Sequence, residues 1–111
     1  MSIEKQSGYR SLTDEEMKTI IKNALNEGYE VRRTEWLDEW ERDMGEPSVC
    51  YELDEGDLEE YEYNPCLILE DYPKDGCAEL NFVKDDEYIN FYHIERTEEY
   101  FEAEAIEAFL Y

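Results

Sequence analysis

Between Glu52 and Tyr63 the chain reads E-L-D-E-G-D-L-E-E-Y-E-Y, so seven of twelve residues are carboxylates and none is basic. Carboxylates at this density can act as acid–base pairs, hold a hard cation, or show a negative field to a basic partner. Acid pairs recur all along the sequence, so no single pair stands out as a glycosidase couple, and 111 residues leave little room for a sugar cleft. The run Asp71 to Gly76 puts Asp at positions one and five and Gly at six of a calcium loop. Pro73 stands at position three and Phe82 at twelve, where the bidentate Glu belongs, so an EF-hand is excluded. Glu16-Met17-Lys18 echoes the E-x-K of metal-dependent nucleases, but it lies in a capped helix start without a matching upstream Asp.

Other reactive side chains are few. The single histidine, His93, sits among aromatic residues, and no spacing ties it to Ser48 or to a cysteine as a nucleophile–base pair. Cys50, Cys66 and Cys77 are odd in number and form no C-x-x-C, which predicts reduced, buried thiols. Together with His93 they lack the paired short spacing of a zinc site. No catalytic residue, no cofactor and no tightly bound metal is expected.

That leaves the field itself. The net charge is −22, from 10 bases and 32 acids. Residues 1–42 carry 10 acids and 7 bases, whereas residues 43–111 carry 22 acids and only 3 bases, Lys74, Lys84 and Arg96. Such a balance excludes direct binding to nucleic-acid phosphates and attraction to an anionic membrane surface, and it fits a basic partner. The candidate binding residues are Asp54, Glu55, Asp57, Glu59, Glu60 and Glu62, with Glu70-Asp71 and Asp85-Asp86-Glu87 in turns. Acids two apart on a strand or four apart on a helix are about 6–7 Å from one another, comparable to neighbouring phosphates along a nucleic-acid backbone.

The elements that must carry these acids read as one α+β domain over residues 1–111, with residues 1–11 a loose arm. Thr13 and Glu16 make a capping box, Leu12 and Met17 a staple, and Met17, Ile20, Ile21, Ala24 and Leu25 one apolar face, so a helix spans 14–27 and ends at Gly28. A short strand at 29–33 is compatible with the alternation there. Thr34 then caps a second helix, whose Trp36, Leu37, Trp40 and Met44 share a face that reads first as core and otherwise, through its two tryptophans, as an interaction hot spot, before Gly45 and Pro47 stop it. Period-two alternation predicts an antiparallel meander of about four strands, 48–53, 66–71, 78–83 and 88–94. Asp75-Gly76 marks a tight turn between the second and third strands, and 84–87 turns between the last two. The acidic stretch is expected as the long connection after the first strand or as a poor edge strand. Thr97 caps a last helix, with Phe101, Ala105 and Phe109 along one side. The first residues carry no apolar signal-peptide core, and the longest apolar run, Cys66 to Leu69, is too short to span a membrane.

In size, acidity, aromatic content and lack of catalytic motif, the chain resembles phage-encoded anti-defence proteins, the DNA-mimic anti-CRISPR and antirestriction inhibitors. The resemblance covers the character of the whole chain rather than any motif. It implies a non-enzymatic inhibitor in the cytoplasm of a host bacterium, bound to a basic nucleic-acid-binding protein such as a CRISPR effector nuclease. Three other readings share many features: an immunity protein that neutralises a nuclease toxin, an acidic protein-interaction module, and halophilic adaptation. The last expects evenly spread acids and abundant Asp, whereas here Glu outnumbers Asp 23 to 9 and the acids crowd after residue 43.

Overall fold

The computed structural model describes residues 12–72, 75–95 and 98–110. Helix α1 (Asp14–Asn26) starts as its sequence dictates. Thr13 Oγ1 accepts from the Glu16 backbone N–H at 3.1 Å, and Glu16 Oε1 accepts from the Thr13 N–H at 3.0 Å. Met17, Ile20, Ile21 and Ala24 are buried, and Gly28 leaves the helix at φ +94°, a backbone region that disfavours a side chain. The arm expected over residues 1–11 lies outside the described residues.

Strand β1 (Glu30–Trp36) runs through Thr34, which is therefore not a helix cap. The seven β1 positions pair with β3 (Cys77–Lys84) on one side, and Val31 to Glu35 pair with β2 (Val49–Leu53) on the other. Backbone pairing on both sides outweighs a helical apolar pattern worth only tenths of a kcal/mol per residue. The second helix, α2 (Glu39–Met44), is consequently short. Asp38 caps it, accepting from the Glu41 N–H at 3.0 Å, and it buries no residue. The core role expected of its apolar face is thus corrected: Trp36 ends a strand, while Leu37, Trp40 and Met44 are exposed, Trp40 to 64%.

Glu52 and Leu53 of the acidic stretch end β2, an edge strand, and the rest lies, as expected, in the long connection that follows it. This connection contains helix α3 (Glu55–Glu60), started by Asp54. The strand expected at 66–71 is absent, because Asn64 Oδ1 accepts from the Cys66 N–H at 3.0 Å and Pro65 fits the first helical turn, giving the one-turn helix α4 (Pro65–Ile68). Asp75-Gly76 therefore joins no hairpin. Gly76 instead allows close approach, since a Cβ there would lie 1.8 Å from the Trp36 carbonyl oxygen.

β3 and β4 (Glu87–Glu95) form the expected hairpin about Asp85-Asp86. Tyr92 faces Leu80 and Asn90 faces Asn81, so Phe91 is an extra residue in a bulge, and both Phe91 and Tyr92 are buried. The segment expected to open the last helix is a fifth strand, β5 (Glu98–Phe101), paired with Tyr92 to Glu95. Phe101 anchors it, its ring centroid 4.9 Å from Tyr92 and 5.7 Å from Phe91. Helix α5 (Ala103–Phe109) begins only after that. Thr97, the expected cap, lies outside the described residues.

The outcome is a small α+β fold with five antiparallel strands in the order β2-β1-β3-β4-β5. One sheet face carries Val31, Leu53, Leu80, Phe82 and Phe91 against the helices. Phe109 of α5 seals it, edge-on to Phe82 at 5.2 Å and to Tyr29 at 5.3 Å, and its carbonyl accepts from Asn23 Nδ2 of α1 at 2.6 Å. Arg33 and Glu35 lie on this same face as a buried ion pair, and Arg33 also donates to the Ile68 carbonyl, which ties α4 to β1. Among the described residues no helix is long and apolar enough to cross a membrane.

Candidate functional site

Leu53 at the end of β2 pairs with Val31, which pairs with Phe82, while Glu30 pairs with Val83. The start of α3 and the β3–β4 turn therefore share one end of the sheet. This end gathers Asp54, Glu55, Asp57 and Glu59 with Asp85, Asp86 and Glu87, and α3 leads on to Glu60 and Glu62. All are exposed except Asp57, which is partly buried. Glu70 and Asp71, also exposed, leave the group: they follow α4 on the way to Cys77, which pairs with Trp36 at the opposite end of the sheet.

The eleven acids are not equivalent. Asp54 Oδ1 accepts from the Asp57 N–H at 2.8 Å and Asp57 Oδ2 accepts from the Asp54 N–H at 3.2 Å, so these two build the helix start. Glu87 accepts from the Tyr29 hydroxyl at 2.7 Å, and this bond, followed by burial, pushes the Tyr29 pKa up to about 12. Glu62 and Tyr63 both take left-handed backbone, φ 53° and 60°, to turn the chain after α3.

The nearby bases are engaged elsewhere. Lys84 Nζ donates to the Glu27 carbonyl at 2.7 Å and lies 5.4 Å from the Tyr29 ring centroid. Arg32 pairs with Glu30 at 3.2 Å. Lys22 sits 5.3 Å over the Tyr63 ring. Among the described residues, none of the eleven acids is in an ion pair with Lys or Arg. Between α1 and α3 a groove of about 320 Å³ is lined by Lys22, Leu25, Asn26, Glu55, Glu59 and Tyr63. Burial raises the Tyr63 hydroxyl pKa, and Glu59 and Glu55 add to it, so a negative field reaches the groove floor. A groove that already holds a lysine over an aromatic ring between two carboxylates suits a second cationic side chain.

The opposite face of the sheet holds a cluster that sequence spacing hid. Cys77 lies opposite Glu95 and Glu79 opposite His93 across the β3–β4 ladder. Strand pairing thus assembles the thiol, imidazole and carboxylates that no short motif joined. His93 Nδ1 is 3.0 Å from Glu79 Oε2, and Arg42 of α2 ion-pairs with Glu95. Burial pushes the Cys77 thiol up to about 11, the reverse of what activates a nucleophile, so the cluster does not read as a Cys–His catalytic pair. Cys77 is buried and Cys66 partly so, but Cys50 is exposed, against the expectation of three buried thiols; all three are free.

Comparison of the chain with protein-family models, with curated proteins and with solved structures returns no match.

Proposed function

We propose that the protein is an acidic inhibitor that docks on a basic nucleic-acid-binding protein in place of nucleic acid. The particular form favoured is a phage anti-CRISPR protein acting as a DNA mimic on a CRISPR nuclease inside the host bacterium. One observation carries this reading: a set of exposed carboxylates at one end of the sheet, with no basic partner among the described residues. Carboxylates left open have no internal ion pair to break when a partner's Lys and Arg approach, and they steer encounter strongly at low salt. Glu55 and Glu59, four apart on α3, have the phosphate-like spacing of about 6 Å.

The test is competition. Immobilised protein is offered CRISPR effector nucleases with and without duplex DNA, and separately a basic nuclease toxin. Capture of an effector that both DNA and high salt reverse is the expected result. Changing Glu59, Glu60 and Glu62 to Lys should abolish it, while Asp14→Lys with Glu15→Lys leaves it largely intact in the folded fraction. Capture of the toxin alone transfers the reading to an immunity protein. A second reading has its own observation, the exposed Leu37, Trp40 and Met44 about α2. An acidic interaction module docking through that apolar patch would lose binding on Trp40→Ala and keep it after the α3 reversals.

A further inference from the structure

Among the described residues, Cys77, His93 and Glu95 are the one group of three or more potential metal ligands whose donor atoms come together, all within 4.8 Å of one another. Their placement follows from the ladder. Cys77 and Glu95 are direct cross-strand partners, and His93 precedes Glu95 by two, so all three side chains leave the same face of the sheet. Glu79, the cross-strand partner of His93, completes a two-by-two array.

The surroundings of the imidazole set its direction. Glu79 Oε2 lies 3.0 Å from His93 Nδ1, so a proton on Nδ1 is held by the carboxylate, while Nε2, 3.9 Å from Glu95 Oε1, carries the free lone pair. Tyr100 of β5 stacks on the ring at 4.9 Å and 26°, which fixes its plane. A carboxylate that orients a histidine so that its other nitrogen points at a second ligand is the recurring outer shell of metal sites.

We propose that Cys77, His93 and Glu95 bind a single zinc ion, with Glu79 as the residue that positions His93 and water as the fourth ligand. A thiolate, an imidazole and a carboxylate together select a borderline-soft ion over calcium or magnesium, which take oxygen donors. Tetrahedral zinc, with bonds of about 2.0–2.3 Å, sets its donors about 3.4–3.7 Å apart, so the trio closes by about 1 Å when loaded. The thiol proton leaves to water as the Zn–S bond forms. Asp38, Asp75, Gly76 and Arg42 line a shallow depression beside Cys77 and Glu95, so entry of the ion requires Arg42 to move aside.

Arg42 now supplies the positive charge at this corner, on Glu95. It stands on α2, a helix that buries no side chain, so it can swing away without loss of core. Zinc and Arg42 are therefore competitors for Glu95. The site lies on the face of the sheet opposite the aromatic core, apart from the acidic end, and does not depend on the docking function proposed above.

Cobalt(II) titration of the whole chain tests this. One equivalent should produce visible ligand-field bands of tetrahedral strength and a near-ultraviolet thiolate-to-cobalt band, both removed by zinc. Cys77→Ser should abolish the thiolate band, whereas Cys50→Ser and Cys66→Ser leave it. Glu79→Gln should keep the band and weaken zinc by about 10–100-fold. Arg42→Gln should tighten it. Should Cys77→Ser fail to fold by circular dichroism, the Glu79→Gln pair of readouts decides. No thiolate band in the native chain, a band that persists in folded Cys77→Ser, or equal zinc affinity in Glu79→Gln and the native chain overturns the assignment.

Discussion

Glu59 and Glu60 on α3 stand in solvent with no base within ion-pair reach among the described residues, whereas Glu35, Glu79 and Glu95 in the sheet each touch a nitrogen of Arg33, His93 or Arg42. The same carboxylate group has two uses in one small fold. Inside or against the sheet it is desolvated and must be paired, so it specifies structure. At the acidic end it keeps its hydration, contributes little to folding, and remains free to meet a partner. Sequence composition counts both kinds alike; the difference lies in what each acid faces.

The largest effect expected from breaking this contrast is at the buried pair. Arg33→Met strands Glu35 beneath the helices and frees the Ile68 carbonyl, and should cost about 3–5 kcal/mol in urea unfolding. Adding Glu35→Leu should recover most of that loss. Glu60→Ala, at the acidic end, should stay within about 0.5 kcal/mol. Equal losses from Arg33→Met and Glu60→Ala would remove the distinction.

Alkaline titration comes next. Glu87 holds the Tyr29 proton, its pKa pushed up to about 12 from 10. The unfolded chain releases this proton at about pH 10 and the folded chain only near 12, so the stabilisation is complete below pH 10 and is lost as pH rises towards 12. Unfolding midpoints measured from pH 8 to 12 should fall above 10, and Tyr29→Phe should flatten part of that fall. An unchanged midpoint through pH 11 would contradict the Tyr29–Glu87 bond.

Within the acidic end itself the comparison sharpens further. Asp57→Ala removes half of the Asp54–Asp57 capping box and should cost about 1 kcal/mol. Glu59→Ala, two positions on, should not. Reversal experiments on the docking surface therefore belong at Glu59, Glu60 and Glu62, not at Asp57. The smallest effect is that of salt. Screening the self-repulsion of a chain at −22 should raise stability by on the order of 0.5 kcal/mol between very low and moderate ionic strength, roughly 2–4 °C in melting temperature. A flat response would mean that the acids are already neutralised.

Some of this was legible in the residues alone. The start and end of α1, the strand at Val49–Leu53 and the β3–β4 hairpin all follow from signals within a few positions: a capping box, a Gly at the helix exit, strict alternation, a polar turn. Exposure of the charged candidates follows as well, because an unpaired carboxylate is too costly to bury. The elements that departed from expectation were settled at longer range. Thr34 lies in a strand because β2 and β3 pair on either side of it, and residues 98–101 form a strand because Phe101 packs on Phe91 and Tyr92. Ile68 ends a helix turn whose carbonyl meets Arg33, 35 residues earlier. Leu37, Trp40 and Met44 stay outside because the strand consumed the first part of their helix. The Cys77–His93–Glu95 cluster exists only through the β3–β4 register. Local preference decides an element when nothing distant competes with it. Ladder hydrogen bonds, aromatic burial and buried charge pairing are each worth more than that preference, and they come from residues that adjacency in the chain does not reveal.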